Sequence, residues 1–147
     1  GRDSLQPFLD RKEKGVFVLC RTSNPGGADL QDLELASGEP VYERVAALAE
    51  LWNDTGNVGL VVGATAPEEL ADLREQVPGI PFLVPGVGAQ GGDVEAAVEY
   101  GLADGVGLVN SSRGIMFAGE GRTDFAGAAG EAAKRLRNRL QQYRTDG

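Results

Sequence analysis

Three segments of the chain combine residue types and spacing that suit a phosphorylated ligand. The first is Pro85-Gly86-Val87-Gly88-Ala89-Gln90-Gly91-Gly92-Asp93. Its glycines free the backbone to approach a ligand closely. The helix expected after it offers unpaired N–H groups and the positive end of a dipole, a combination that binds phosphate. Gln90 adds a neutral donor and acceptor inside the loop. The plainer reading of the same run is a flexible turn with Asp93 as N-cap. Gly86 to Gly91 also fits G-x-G-x-x-G, but the next strand ends in Asn110 where a dinucleotide fold needs an acidic residue, so that reading is set aside.

The second segment is Asn110-Ser111-Ser112-Arg113-Gly114. An Arg beside Ser hydroxyls and backbone N–H groups suits a phosphate dianion, although a lone Arg is more commonly a surface residue. The third is Cys20-Arg21-Thr22-Ser23-Asn24-Pro25-Gly26-Gly27, where Ser23 sits just past a strand and the following residues favour a turn. Cys20 ends an apolar run, and the chain contains no histidine to activate it. A buried structural thiol is therefore expected rather than a nucleophile. Without histidine, imidazole metal sites and His-dependent triads are excluded within this chain.

The elements that must position these segments follow from four apolar runs: Val16 to Cys20, Val58 to Val62, Pro81 to Val84, and Gly105 to Val109. None alternates with polar residues, which predicts strands buried on both faces of a parallel sheet. A helical pattern follows each run. Val41, Val45, Leu48 and Trp52 form the first, closed by Gly56. Thr65-Ala66-Pro67-Glu68 has capping-box spacing and opens the second, continued by Leu70, Leu73 and Val77. Val94, Ala97, Val98 and Leu102 form the third; Phe125, Ala128, Ala132, Leu136 and Leu140 form the fourth. A leading helix is expected over 4–14 and a long loop over Asn24 to Pro40. Four successive βα units suit half of an eight-stranded barrel or an open α/β sheet. In both, chemistry sits at the C-terminal ends of the strands, where the three segments fall. In a barrel, the loops after the last two strands commonly build one phosphate site.

Composition sets the outer bounds. The 147 residues fit one domain, 41% are hydrophobic, and the net charge of −8 argues against general nucleic-acid binding. Lys134, Arg135, Arg137 and Arg139 run against that charge and read as a solvated face near the C-terminal end of the last helix. One cysteine rules out an intrachain disulfide and is compatible with a reducing compartment. No apolar stretch is long enough to span a bilayer, and the N-terminus is not a signal peptide. The absence of an initiator Met fits a piece cut from a longer chain.

Gly15 to Pro25 (GVFVLCRTSNP), Val61 to Leu70 (VVGATAPEEL), Val84 to Asp93 (VPGVGAQGGD) and Val109 to Ile115 (VNSSRGI) resemble orotidine 5'-phosphate decarboxylase, in the subgroup found in mycobacteria and related bacteria. The resemblance runs over nearly the whole chain. It implies a (β/α)8 TIM barrel of which residues 1–147 supply about the last four βα units, as the C-terminal half of a single barrel domain. It implies conversion of orotidine monophosphate to uridine monophosphate and CO2 in pyrimidine synthesis, with no metal and no organic cofactor, by a cytoplasmic homodimer whose active sites lie near the subunit interface. On that resemblance Ser23 contacts the pyrimidine and Gln90 spans from the pyrimidine to the phosphate. Arg113 pairs with the phosphate, helped by Gly88, Ala89, Gly91 and Ser112. The family's D-x-K-x-x-D motif does not occur in the chain, and Lys12, Lys14 and Lys134 do not follow strands. The chain is thus expected to carry no catalytic residue and to need a missing N-terminal half-barrel as partner. The alternatives are a non-catalytic half-barrel that binds a phosphorylated ligand, and an unrelated open α/β domain.

Overall fold

The computed structural model describes residues 1–63, 66–87, 93–102 and 107–145. Among them, four parallel strands form one sheet in chain order: β1 (Val16–Arg21), β2 (Val58–Val62), β3 (Phe82–Pro85) and β4 (Gly107–Asn110). The helices are α1 (Arg2–Leu9), α2 (Ala28–Gln31), α3 (Val41–Leu51), α4 (Pro67–Gln76), α5 (Val94–Glu99), α6 (Ser112–Met116) and α7 (Phe125–Thr145). The βα repeat is the one the apolar runs predict.

Several boundaries differ, each for a physical reason. The leading helix stops at Leu9 rather than reaching Lys14. Asn57, at the start of β2, donates from Nδ2 to the carbonyls of Leu9 (3.1 Å), Arg11 (3.5 Å) and Lys14 (3.2 Å). Those carbonyls face Asn57 rather than continuing an α-helical ladder. The segment 24–40 is not a plain loop. It holds a 3-10 turn (Pro25–Gly27), α2, and a bridge between Glu34 and Pro40. The third strand starts one residue late because Pro81 has no N–H for the ladder, though its carbonyl accepts from Leu60 N at 2.9 Å. Thr65 and Gly105 lie outside the described residues. The described start of α4 has Ala66 at its N-cap position and Pro67 in the first turn.

The expectation of strands buried on both faces is corrected for the outer pair. Val58, Leu60, Val62, Phe82 and Val84 point to the helix side and are fully enclosed by Ala46 and Ala49 of α3, Leu70 and Leu73 of α4, and Val94 and Ala97 of α5. On the opposite face Phe17 is 39%, Leu19 58% and Leu108 57% exposed. Val61 and Leu83, paired with Leu19 and Leu108 in register, share that face and are half-buried. Continuous apolar sequence marks a strand meant for two covered faces, and only one is covered within these residues. Gly59 shows how tightly the bare face packs along the sheet. A Cβ there would lie 2.5 Å from the Phe17 ring and 2.9 Å from the Pro81 carbonyl, so no larger residue fits.

Candidate functional site at the strand C-terminal ends

The site is built around an irregularity in β1. Leu19 pairs with Val61 and Arg21 with Val62, so Cys20 is an extra residue in the ladder. A bulge of this kind re-aims the side chains beyond it. Cys20 and Arg21 both reach Tyr42 of α3: the thiol donates to the Tyr42 carbonyl at 3.2 Å, and the guanidinium lies 5.0 Å from the ring centre. Cys20 is 2% exposed, and burial pushes its thiol up to about 12 against the opposing pull of Arg21. It is the inert structural thiol that the sequence predicts.

Arg21 is the best-connected residue of this end of the sheet. Its Nε and Nη2 donate to Glu69 Oε2 and Oε1 at 2.6 and 2.8 Å, a two-pronged pair with α4. Nη1 donates to Asp32 and, at 3.4 Å, to Gln31 Oε1. The hydrogen bond to Glu69, then the attraction of Glu69 and Asp32, hold the guanidinium above its ordinary value. Gln31 Oε1 also accepts from Thr22 N at 3.0 Å and Thr22 Oγ1 at 3.2 Å.

Ser23 follows. Its Oγ is buried and makes no hydrogen bond among the described residues. A buried hydroxyl left unpaired is costly, so among the described residues this position is open to a partner. Arg21 to Pro25, Ala28, Gly63, Ala66 and Glu69 line a cleft of about 270 Å³ beside it. Gly63 is required here: a Cβ would come within 2.1 Å of Ser23 Oγ.

The two phosphate-type segments leave the sheet at one level, because Pro85 pairs with Asn110. Gly88, Ala89, Gln90 and Gly91 lie outside the described residues. Of that segment, Val87 is buried, and Asp93 caps α5 by accepting from Glu95 N at 2.8 Å and Ala96 N at 3.3 Å. Ser112 and Arg113, read from sequence as loop residues, open the short helix α6 instead, with Arg113 exposed. Val87 and Ser111 line one cleft of about 290 Å³ together with Gly114, Ala132, Arg135, Leu136 and Arg139. Val87 and Ser111, described residues just past β3 and β4, thus share one cleft. Half of the basic cluster reaches that cleft, which the solvated-face reading missed. Lys134 and Arg137 fit that reading, bonded to Glu131 and Asn138 in solvent. Among the described residues no cluster of three or more Cys, Asp or Glu could hold a metal ion.

Sequence reasoning also passed over Glu69, Asp32 and Gln31. Only Glu69 lay in a segment already singled out. The other two sat in the stretch taken for loop, where an acid or amide carries no signal of its own.

The profile of the orotidine 5'-phosphate decarboxylase / HUMPS family matches residues 1–126. An orotidine 5'-phosphate decarboxylase of Halorubrum lacusprofundi is 77% identical over 156 residues, covering 98% of this chain and 56% of that protein. The solved structure of Leishmania donovani UMP synthase superposes with a TM-score of 0.78 at 50% identity, over 95% of this chain and 31% of the other. Leishmania donovani OMP decarboxylase gives 0.76 at 43% identity, over 95% and 53%. The chain spans about half the length of the curated relatives it matches. It belongs to the orotidine 5'-phosphate decarboxylase / HUMPS family, and its four parallel βα units are part of that family's (β/α)8 barrel.

Proposed function

We propose that residues 1–147 are the C-terminal half of a single barrel domain that decarboxylates orotidine 5'-monophosphate to uridine 5'-monophosphate in pyrimidine synthesis. The chain contributes the grip on the substrate, not the bond-breaking group. The observation that carries this reading is the buried Ser23 hydroxyl, unpartnered among the described residues, at the same strand ends as the cleft that Val87 and Ser111 share. Ser23 offers a donor and an acceptor to the edge of a pyrimidine. Arg113, with Ser112 and the backbone of Gly88, Ala89, Gln90 and Gly91, holds the phosphate, and the Gln90 side chain spans from the pyrimidine to the phosphate. No D-x-K-x-x-D occurs in the chain, so the ammonium that stabilises the C6 carbanion and reprotonates it comes from outside these residues. Binding energy from the phosphate, remote from the reacting carbon, supports the chemistry by holding the pyrimidine in place. The enzyme works in the cytoplasm as a homodimer and recruits neither a metal nor an organic cofactor.

The full-length protein is expected to release CO2 from orotidine 5'-monophosphate, and the purified 147-residue piece to release none. Turnover by the piece alone would overturn this division of labour. Arg113→Ala in the full-length protein should weaken uridine 5'-monophosphate by about 10- to 100-fold, the loss of one charge-assisted pair, and leave uridine nearly unchanged. Equal losses for nucleotide and nucleoside by calorimetry would remove Arg113 from the phosphate.

A further inference from the structure

The Ser23 hydroxyl can serve a ligand only if the segment carrying it is held still, and that segment is a turn of small and polar residues with little apolar burial of its own. We infer that Arg21 is the positioning residue that fixes it, clamping the segments after β1 and β2 to each other so that Ser23 keeps its orientation toward the base end of the ligand. This inference rests on the functional reading above for what Ser23 meets, and on geometry alone for the clamp.

The bulge at Cys20 turns Arg21 toward the helix side, so its guanidinium lies among Tyr42, Glu69, Gln31 and Asp32. Glu69 belongs to α4, which follows the segment after β2. Asp32 and Gln31 belong to the end of α2, which follows the turn carrying Ser23. One planar fork thus joins the two connections, and the main chain links them as well: Gly63 N donates to the Arg21 carbonyl at 3.0 Å. From Gln31 the constraint passes to both the amide and hydroxyl of Thr22, the residue before Ser23. Beyond Ser23 the turn closes on itself through Gly27 N and the Asn24 carbonyl at 2.9 Å. A Cβ at Gly27 would lie 2.7 Å from Thr22 Oγ1, so the turn has no slack for a larger residue. The Arg21 side chain is only 14% exposed, and its carboxylate partners 28% and 44%. A pair with one bidentate arm in this partly enclosed setting is geometrically specific in a way that a surface ion pair is not. Lysine at this position would keep the charge and lose the fork.

The test uses the full-length protein and two probes, uridine 5'-monophosphate and ribose 5-phosphate, which lacks the base. In Arg21→Met, hydrogen exchange at the Thr22 amide should rise. Affinity for uridine 5'-monophosphate should fall by about tenfold while that for ribose 5-phosphate stays within about twofold. Arg21→Lys should fall between the two. In a Ser23→Ala background, Arg21→Met should cost no further affinity, since the two act through one contact. A role in general stability alone would lower both affinities together with the folded fraction, and that outcome would overturn the inference. So would unchanged exchange at Thr22. Glu69→Gln, which keeps shape and removes charge, gives the same readouts if Arg21→Met does not fold. Failure of the wild-type protein to bind either probe would instead overturn the functional reading, while the exchange data still report on the clamp.

Discussion

Replacing Arg74 with alanine is expected to lower the stability of the full-length protein by at least about 4 kcal/mol, an exceptional cost for one substitution. Arg74 is 8% exposed, and its guanidinium lies 3.8 Å from the centre of the Phe82 ring. Among the described residues its nitrogens donate to five backbone carbonyls: Val77 (3.3 Å), Pro78 (2.9 Å), Ile80 (2.9 Å), Tyr100 (2.8 Å) and Gly101 (3.4 Å). The first two close the end of α4 and the last two the end of α5, so one cation meets the negative ends of two helices. Alanine would remove this donor from all five acceptors, of which the Val77 carbonyl keeps the Ile80 amide at 3.3 Å, at roughly 1 to 3 kcal/mol for each left buried without a partner. Arg74→Lys should recover part of the loss, because an ammonium has three donors and cannot span the whole set. Arg74→Met keeps an apolar chain of similar length beside Phe82, so its difference from alanine separates packing from hydrogen bonding. Urea denaturation checks the series. A loss below about 1.5 kcal/mol for Arg74→Ala, the net value of a single hydrogen bond, would mean that the carbonyls find other donors.

The second large effect concerns association. Purified alone, the 147-residue chain should not remain a monodisperse monomer. Phe17, Leu19 and Leu108 are open on one face of the sheet, and β1 and β4 are edge strands among the described residues. Edge strands present unpaired N–H and C=O groups that template pairing, and a contiguous apolar patch on a monomer marks a contact surface or an aggregation hazard. Covering one leucine side chain stabilises by about 1.5 to 3 kcal/mol. Co-expression with the rest of the barrel should therefore yield a one-to-one complex, and the isolated piece should self-associate or aggregate. Leu19→Glu with Leu108→Lys should suppress that association and also prevent the two halves from closing. Light scattering from a stable monomer of the unmodified piece, with cooperative unfolding, would contradict the exposed-face argument.

What the sequence made legible was the part governed by local periodicity. The run Val58 to Val62 is β2 to the residue, and the spacing of Val41, Val45, Leu48 and Trp52 gives α3 to within one. The placement of Ser23 and Arg113 past strand ends follows from the same periodicity. What stayed hidden was set by partners distant in sequence. The bulge at Cys20 exists only through pairing with β2, and nothing in Leu19-Cys20-Arg21 announces it. Arg74 carried no signal in the sequence because its acceptors are backbone carbonyls, which every residue has. The short helices α2 and α6 were read as loop because four or five residues show no full period.

The Asn57 clasp also sets an order of events during synthesis. The carbonyl of Leu9 waits for a side chain 48 positions later, and that of Lys14 for one 43 positions later. At about 5 to 20 residues per second, the ribosome delivers Asn57 some 2 to 10 seconds after the segment it must fasten. Through that interval α1 has no anchor at the start of β2 and must rely on other contacts or remain frayed. Codon choice between these positions would therefore change how long the leading helix stays loose on the nascent chain, without changing one atom of the finished protein.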